Sequence, residues 1–192
     1  ATGNREAIDI DVSSQTSQKA IDFMRARTGN VTNGNATIEL LFKHRLVKLV
    51  FNLKQGEGLL PNELKDATYL GMKILDQRYK ATYNIYKDDN ENPLTVNPSS
   101  DYIADIIPVK ASQAPTGYVR TYEAIVLPNV TNNPAQKRTI EITFYHRSDD
   151  AITNTFTIPV QTIFEAGYKY EYNVTVNALT VTVDTEKYTE QW

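Results

Sequence analysis

Cysteine is absent from the 192-residue chain, and with it go disulfides, thiolate metal sites and a cysteine nucleophile. The fold must rest on its own core, for which 41% hydrophobic residues suffice in one large or two small domains. No stretch approaches the roughly 18 consecutive apolar residues of a membrane span, so the chain is not expected to cross a membrane. Ala1–Asp9 also lacks the basic-then-apolar pattern of an export signal. Charge of one sign is scarce too: 20 basic and 23 acidic side chains, net -3, are scattered without long runs. Phosphate backbones and anionic membranes call for a gathered basic surface, so nucleic acid is not an expected partner.

Groups that carry chemistry are equally thin. The two histidines, His44 and His146, stand far apart, each inside a strand-like segment, and read as structural or surface residues rather than as metal ligands or a Ser/His/Asp constellation. The paired carboxylates Asp88-Asp89, Asp149-Asp150 and Glu63/Asp66 fall in polar, turn-like stretches. Turns ordinarily place Asp there, and neither Asp pair has the oxygen spacing of a helix-loop-helix calcium site. Gly56-Glu-Gly58 is a lone turn pair with no Lys-Ser/Thr after it, and no GxSxG elbow occurs. No catalytic residue, metal ligand or cofactor is assigned.

What is present favours strands. Twelve tyrosines accompany abundant Thr, Val, Ile and Asn, side chains that suit a pleated, half-buried surface. Tyr168, Tyr170, Tyr172, Val174 and Val176 alternate with Lys169, Glu171, Asn173, Thr175 and Asn177, a period of two that follows the turn signal Ala166-Gly167. After Asn177-Ala178 the apolar parity switches to Leu179, Val181 and Val183, which marks a tight turn or bulge. The same switch separates Ile38, Leu40 and Phe42 from Val47, Leu49, Phe51 and Leu53. A single strand over that span would run about 50 Å, so a bend is expected around His44–Val47.

Further strands are expected at 68–75, 79–86, 102–109, 119–127, 138–146 and 154–160, with short helical turns at most in 18–27 and 61–67. About nine strands without long amphipathic helices imply an all-β sandwich or barrel.

Three segments resemble the fimbrillin family, in its fimbrillin-like or Mfa-like branch. Asp22-Phe-Met-Arg-Ala26 is similar to a D-hydrophobic-hydrophobic-x-A element. The run from Leu41 to Leu53 is close to an F-x-H-x-L-x-K-hydrophobic pattern, carried by Phe42, His44, Leu46 and Lys48. The stretch from Ala166 to Val176, with the terminal Trp192, looks like an aGxxYxYxv ending and closing tryptophan. Ile125-Val-Leu-Pro128 sits where the family has a strand ending in proline.

The resemblance implies a transthyretin-like, Greek-key β-sandwich over residues 29–192, preceded by a lead segment at 1–28 that is a remnant of an N-terminal β domain. It implies export to the cell surface and outer membrane from a lipoprotein precursor in Bacteroides-type bacteria, no enzymatic activity, and a role as pilus stalk, tip or anchor subunit. In the family, polymerisation follows loss of an N-terminal strand after an arginine. Arg5, the only basic residue before Lys19, is not assigned that role.

The implied partners are other pilus subunits, joined by strand addition. Leu179, Val181, Val183, Tyr188 and Trp192 are the candidate strand: either donated to a neighbour or the last strand of the chain's own sandwich. At roughly 1.5–3 kcal/mol per side chain, their burial is on the order of 10 kcal/mol before ordering costs. A cell-surface carbohydrate-binding module is the alternative, because a sugar's apolar face stacks on an aromatic ring. Tyr79, Tyr83 and Tyr86 are its candidate residues for host or bacterial glycans.

Overall fold

The computed structural model describes residues 7–28, 34, 37–61, 63–66, 70–129, 138–145, 151–158 and 163–191. Among them are fourteen β segments. The first seven are β1 (Ala7–Asp11), β2 (Met24–Arg25), β3 (Lys43–His44), β4 (Val47–Gln55), β5 (Leu70–Arg78), β6 (Lys80–Asn84) and β7 (Leu94–Val96). The rest are β8 (Ile103–Ile106), β9 (Val109–Lys110), β10 (Arg120–Val126), β11 (Arg138–Tyr145), β12 (Ala151–Ile158), β13 (Tyr168–Val176) and β14 (Val181–Gln191). Among the described residues helix is confined to the single turns α1 (Gln18–Ile21) and α2 (Glu63–Asp66), and to two 3-10 turns.

The body is an all-β sandwich. A five-stranded sheet, β14-β13-β4-β10-β9, faces a four-stranded sheet, β12-β11-β5-β8. Neighbours are antiparallel except β13 and β4, which run parallel from Lys169 beside Lys48 to Val176 beside Gln55. Alternation builds the core: Val47, Leu49, Phe51 and Leu53 of β4 join Tyr122, Ala124 and Val126 of β10 and Tyr170, Tyr172, Val174 and Val176 of β13. From the other sheet come Leu70, Met72 and Ile74, and Ile140, Ile142 and Phe144. Burying each such aliphatic or aromatic side chain contributes roughly 1.5–3 kcal/mol, so this interface dominates the fold's stability.

A second, smaller core lies behind the first. The three-stranded sheet β1-β6-β7 brings Ile10, Ala81, Tyr83, Leu94 and Val96 against Leu46, Ile125 and Leu127. This explains the first parity switch. Leu46 belongs to the small core and Val47 to the large one, so the chain breaks between β3 and β4 at Arg45-Leu46, inside the expected bend. β10 is buried on both faces for the same reason.

The lead segment packs onto this layer: Ala7–Asp11 pairs with β6 from Asn84 to Lys80, and Val12 is fully buried.

One expectation is corrected. Ile38, Leu40 and Phe42 do not lie in a buried strand; they carry no regular structure and are 53%, 52% and 56% exposed. Alternation reports a periodicity, and it does not report that anything covers the face it creates. The strand count also exceeds nine, because β1, β2, β3, β7 and β9 are two to five residues long, too short to show a period.

Candidate functional site

Four of the five C-terminal residues singled out above, Leu179, Val181, Val183 and Tyr188, fall in the closing hairpin. β14 is the edge strand of the five-stranded sheet, laddered to β13 from Val181 beside Val176 to Gln191 beside Tyr168, with a register shift at Tyr168/Lys169. Val181 and Val183 pack half-buried against the main core. Tyr188 stands opposite Lys169 in the ladder. Leu179 is 87% exposed at the tip of the turn, and Trp192 lies outside the described residues.

The second parity switch is this turn, closed by Asn177 N–H donating to the Thr180 carbonyl at 2.9 Å. The Gly56-Glu-Gly58 pair seats it: Glu57 N–H donates to Asn177 Oδ1 at 2.9 Å, and Ala178 N–H to the Glu57 carbonyl at 3.0 Å. A Cβ on Gly56 would lie 1.9 Å from Asn177 Oδ1, so the approach requires glycine.

The three motif segments meet at one place, a convergence that their separation in sequence hides. Met24 and Arg25 pair with His44 and Lys43, and His44 Nδ1 lies 2.8 Å from Asp22 Oδ1. Arg45 N–H donates to the Phe23 carbonyl at 2.9 Å, and Gly167 N–H to the Leu46 carbonyl at 2.8 Å. Gly167 sits at φ +83°, and a Cβ there would come 3.0 Å from the His44 carbonyl oxygen.

Around this junction Asp89 bridges Arg45 at 3.0 Å and Arg25 at 3.6 Å, and Asp88 pairs with Arg27. Arg25 also donates to the Tyr83 hydroxyl and to the Lys87 and Ile85 carbonyls, at 2.9–3.0 Å. The Asp88-Asp89 turn is therefore an electrostatic clasp. Both arginines at Asp89 are thus engaged with its carboxylate, and Arg45 Nε is buried without a hydrogen-bond partner among the described residues.

The three candidate glycan-facing tyrosines have three different environments. Tyr83 is 1% exposed in the small core, its ring 4.8 Å from that of Phe23. Tyr79 is half-buried, edge-on to Tyr102 at 6.0 Å. Tyr86 is 61% exposed beside Phe42 on an open hollow. They do not form one aromatic platform. His146 and the Asp149-Asp150 pair lie outside the described residues, and Glu63 accepts from Leu60 N–H as part of a turn.

Sequence reasoning missed Arg138. It stands on the core-facing parity of β11 and is 2% exposed. Nη1 donates to Gln77 Oε1 at 2.6 Å and Nη2 to the Leu127 carbonyl at 2.8 Å, while the guanidinium carbon lies 4.5 Å from the Phe164 ring centroid. No carboxylate pairs with it among the described residues. Burial pushes its pKa down to about 10, with the Tyr172 hydroxyl acting in the opposite sense. The Tyr172 hydroxyl, also buried, has no hydrogen-bond partner among the described residues. Its pKa is raised, first by burial and also by Tyr170, against the pull of Arg138. The one sequence signal for this pair was a charged residue in phase with Ile140, Ile142 and Phe144.

Comparison with known proteins agrees with this geometry. A family model described as fimbrillin-like matches residues 1–192. The crystal structure of a cell-adhesion candidate from Bacteroides uniformis superposes with TM-score 0.75 at 26% identity, covering 100% of this chain and 68% of that one. A similar candidate from Bacteroides ovatus gives TM-score 0.64 at 22% identity, over 100% and 62%. One from Bacteroides eggerthii gives 0.55 at 13%, over 100% and 72%. The latter two show the fold alone, and the chain spans about two thirds of each relative's length. A search of curated proteins finds no match.

Proposed function

The chain belongs to the fimbrillin-like family, and from that membership we propose that it is a non-enzymatic structural or adhesive component of a cell-surface pilus, exported to the outer membrane and joined to its neighbours by strand addition. The observation that carries the reading is the closing hairpin: among the described residues β14 is hydrogen-bonded to the sheet on one side only. An edge strand presents a row of free N–H and C=O groups on its other side, the surface to which an extended segment of another subunit adds. β14 serves as the chain's own last strand, with Val181 and Val183 on the core, and the neighbour's segment continues the sheet beyond it.

The test is made in the producing bacterium. Surface filament fractions are expected to contain the chain, and deletion of Leu179–Trp192 is expected to remove it from them. A truncated chain that still enters filaments would rule out strand addition through this hairpin. Absence of the intact chain from every surface fraction would rule out the pilus role.

A further inference from the structure

Residues 37–42 combine two features that a folded domain rarely leaves together. They run without turn or bend into β3 and make no hydrogen bond among the described residues. They also carry four large apolar side chains more than half exposed: Ile38, Leu40, Leu41 and Phe42, at 53%, 52%, 68% and 56%. β3 itself has only β2 as a strand neighbour among the described residues. An unpaired apolar segment of this kind, free of turns and bends, is a template for pairing with another strand.

We propose that the segment Glu39–Lys43 is a homotypic pairing edge, on which a second copy of this chain adds antiparallel and produces a two-fold symmetric dimer. The charges select the partner and its register. Two copies centred on Leu41 place Glu39 of each opposite Lys43 of the other, making two cross-strand ion pairs, and place Leu40 opposite Phe42 twice. Neither Glu39 nor Lys43 has an ion-pair partner among the described residues. Shifting the centre to Leu40 sets Glu39 against Leu41 and Lys43 against Thr37, so both charges go unmatched; the ion pairs therefore discriminate against the neighbouring register.

Alternation puts Leu40 and Phe42 on one face. Phe42 borders an open hollow of about 470 Å³ with Ile8, Met24 and Tyr86, which are 41%, 46% and 61% exposed. The partner's Leu40, beside Phe42, arrives at the rim of that hollow. Each copy thus covers the other's apolar patch, the self-complementarity that a two-fold interface demands. The inference concerns a different segment from β14, and it stands whether or not the pilus reading does.

Sedimentation velocity on the full chain over a concentration series reads the dimer directly. The parent is expected to dimerise. Leu41→Lys, which sets two like charges against each other on the two-fold axis, and Glu39→Lys, which sets Lys against Lys43, are each expected to weaken dimerisation at least tenfold. The charge swap Glu39→Lys/Lys43→Glu is expected to restore it. All three positions are exposed, so thermal unfolding at a concentration where the parent is monomeric should stay at the parent value. A parent that is monomeric throughout the series overturns the proposal, as does a dimer indifferent to Leu41→Lys or a charge swap that does not rescue. A chain that stays monomeric while capturing an unrelated extended peptide on this segment overturns it equally.

Discussion

The side-chain amide of Gln15 takes the place of a neighbouring strand beside Ile125: Nε2 donates to the Ile125 carbonyl at 2.9 Å, and Oε1 accepts from Ile125 N–H at 2.8 Å. β9 covers β10 only at Tyr122 and Glu123, so beyond it the edge would stand open where Ile125 enters the small core. Gln15 is 4% exposed, and its Nε2 also donates to the Val12 carbonyl at 2.7 Å. One side chain thus ties the lead segment to the sandwich and closes a sheet edge.

Gln15→Ala is therefore expected to cost more than the loss of an ordinary side chain. It leaves the Ile125 N–H and C=O buried without partners, at about 1–3 kcal/mol for each group. Urea unfolding should show the midpoint falling with the m-value unchanged. A loss below about 0.5 kcal/mol would show that water reaches these groups and that the edge is not sealed.

At the junction of the three motif segments, Gly167→Ala is expected to destabilise by about 1–3 kcal/mol. The left-handed backbone penalises any side chain, and this one would press on the His44 carbonyl oxygen at 3.0 Å. The same substitution should loosen the His44–Asp22 contact, visible as a change in the His44 ring resonances. Wild-type stability in Gly167→Ala would mean that the junction shifts to accommodate a methyl group.

The sandwich was legible where one face is buried and the other wet. β13 shows this best: its tyrosines and valines alternate with Lys169, Glu171 and Asn173, so the period is plain. β10 was found too, although with Ile125 and Leu127 in one core and Tyr122 and Ala124 in the other its alternation is blurred. β1 and β7 left too short a trace. The clasp of Asp89 on Arg25 and Arg45 and the Gln15 bridge join residues far apart in the chain through single polar contacts, which no local pattern encodes. Ile38–Phe42 misled for the opposite reason: its alternation is real, and among the described residues these side chains stay more than half exposed.

The closing hairpin gives a packing prediction. On Gly56 a Cβ would meet Asn177 Oδ1 at 1.9 Å and Thr175 Cγ2 at 2.7 Å, so Gly56→Ala must push the 56–58 loop off the β13–β14 turn. A loss of about 2–3 kcal/mol is expected, in the range of core overpacking. Asn177→Ala removes the nearer obstacle but not Thr175, so the double variant should recover only part of the loss, a coupling that a double-mutant cycle measures. Strict additivity of the two substitutions would mean that they do not act on the same contact.

The buried pair Arg138 and Tyr172 predicts how stability responds to alkali. Tyr172 keeps its proton in the folded state above its unfolded value of 10.0. From about pH 10 upward the folded state then holds more protons than the unfolded one, and this residue's contribution to stability falls as pH rises. Arg138 works the other way. Its pKa is pushed down to about 10 from 12.5, so between those values the unfolded state holds more protons and stability rises with pH. In the parent the two slopes oppose each other. Tyr172→Phe removes the falling one and, because the hydroxyl has no hydrogen-bond partner among the described residues, should change stability little at pH 8. At pH 11 the variant is expected to be more stable than the parent by about 1 kcal/mol, since one proton over one pH unit is worth about 1.4 kcal/mol. Urea midpoints of both proteins at pH 8 and pH 11 check this. An equal difference at the two pH values would mean that Tyr172 ionises as freely in the folded chain as in the unfolded one, and that the core around Arg138 admits water.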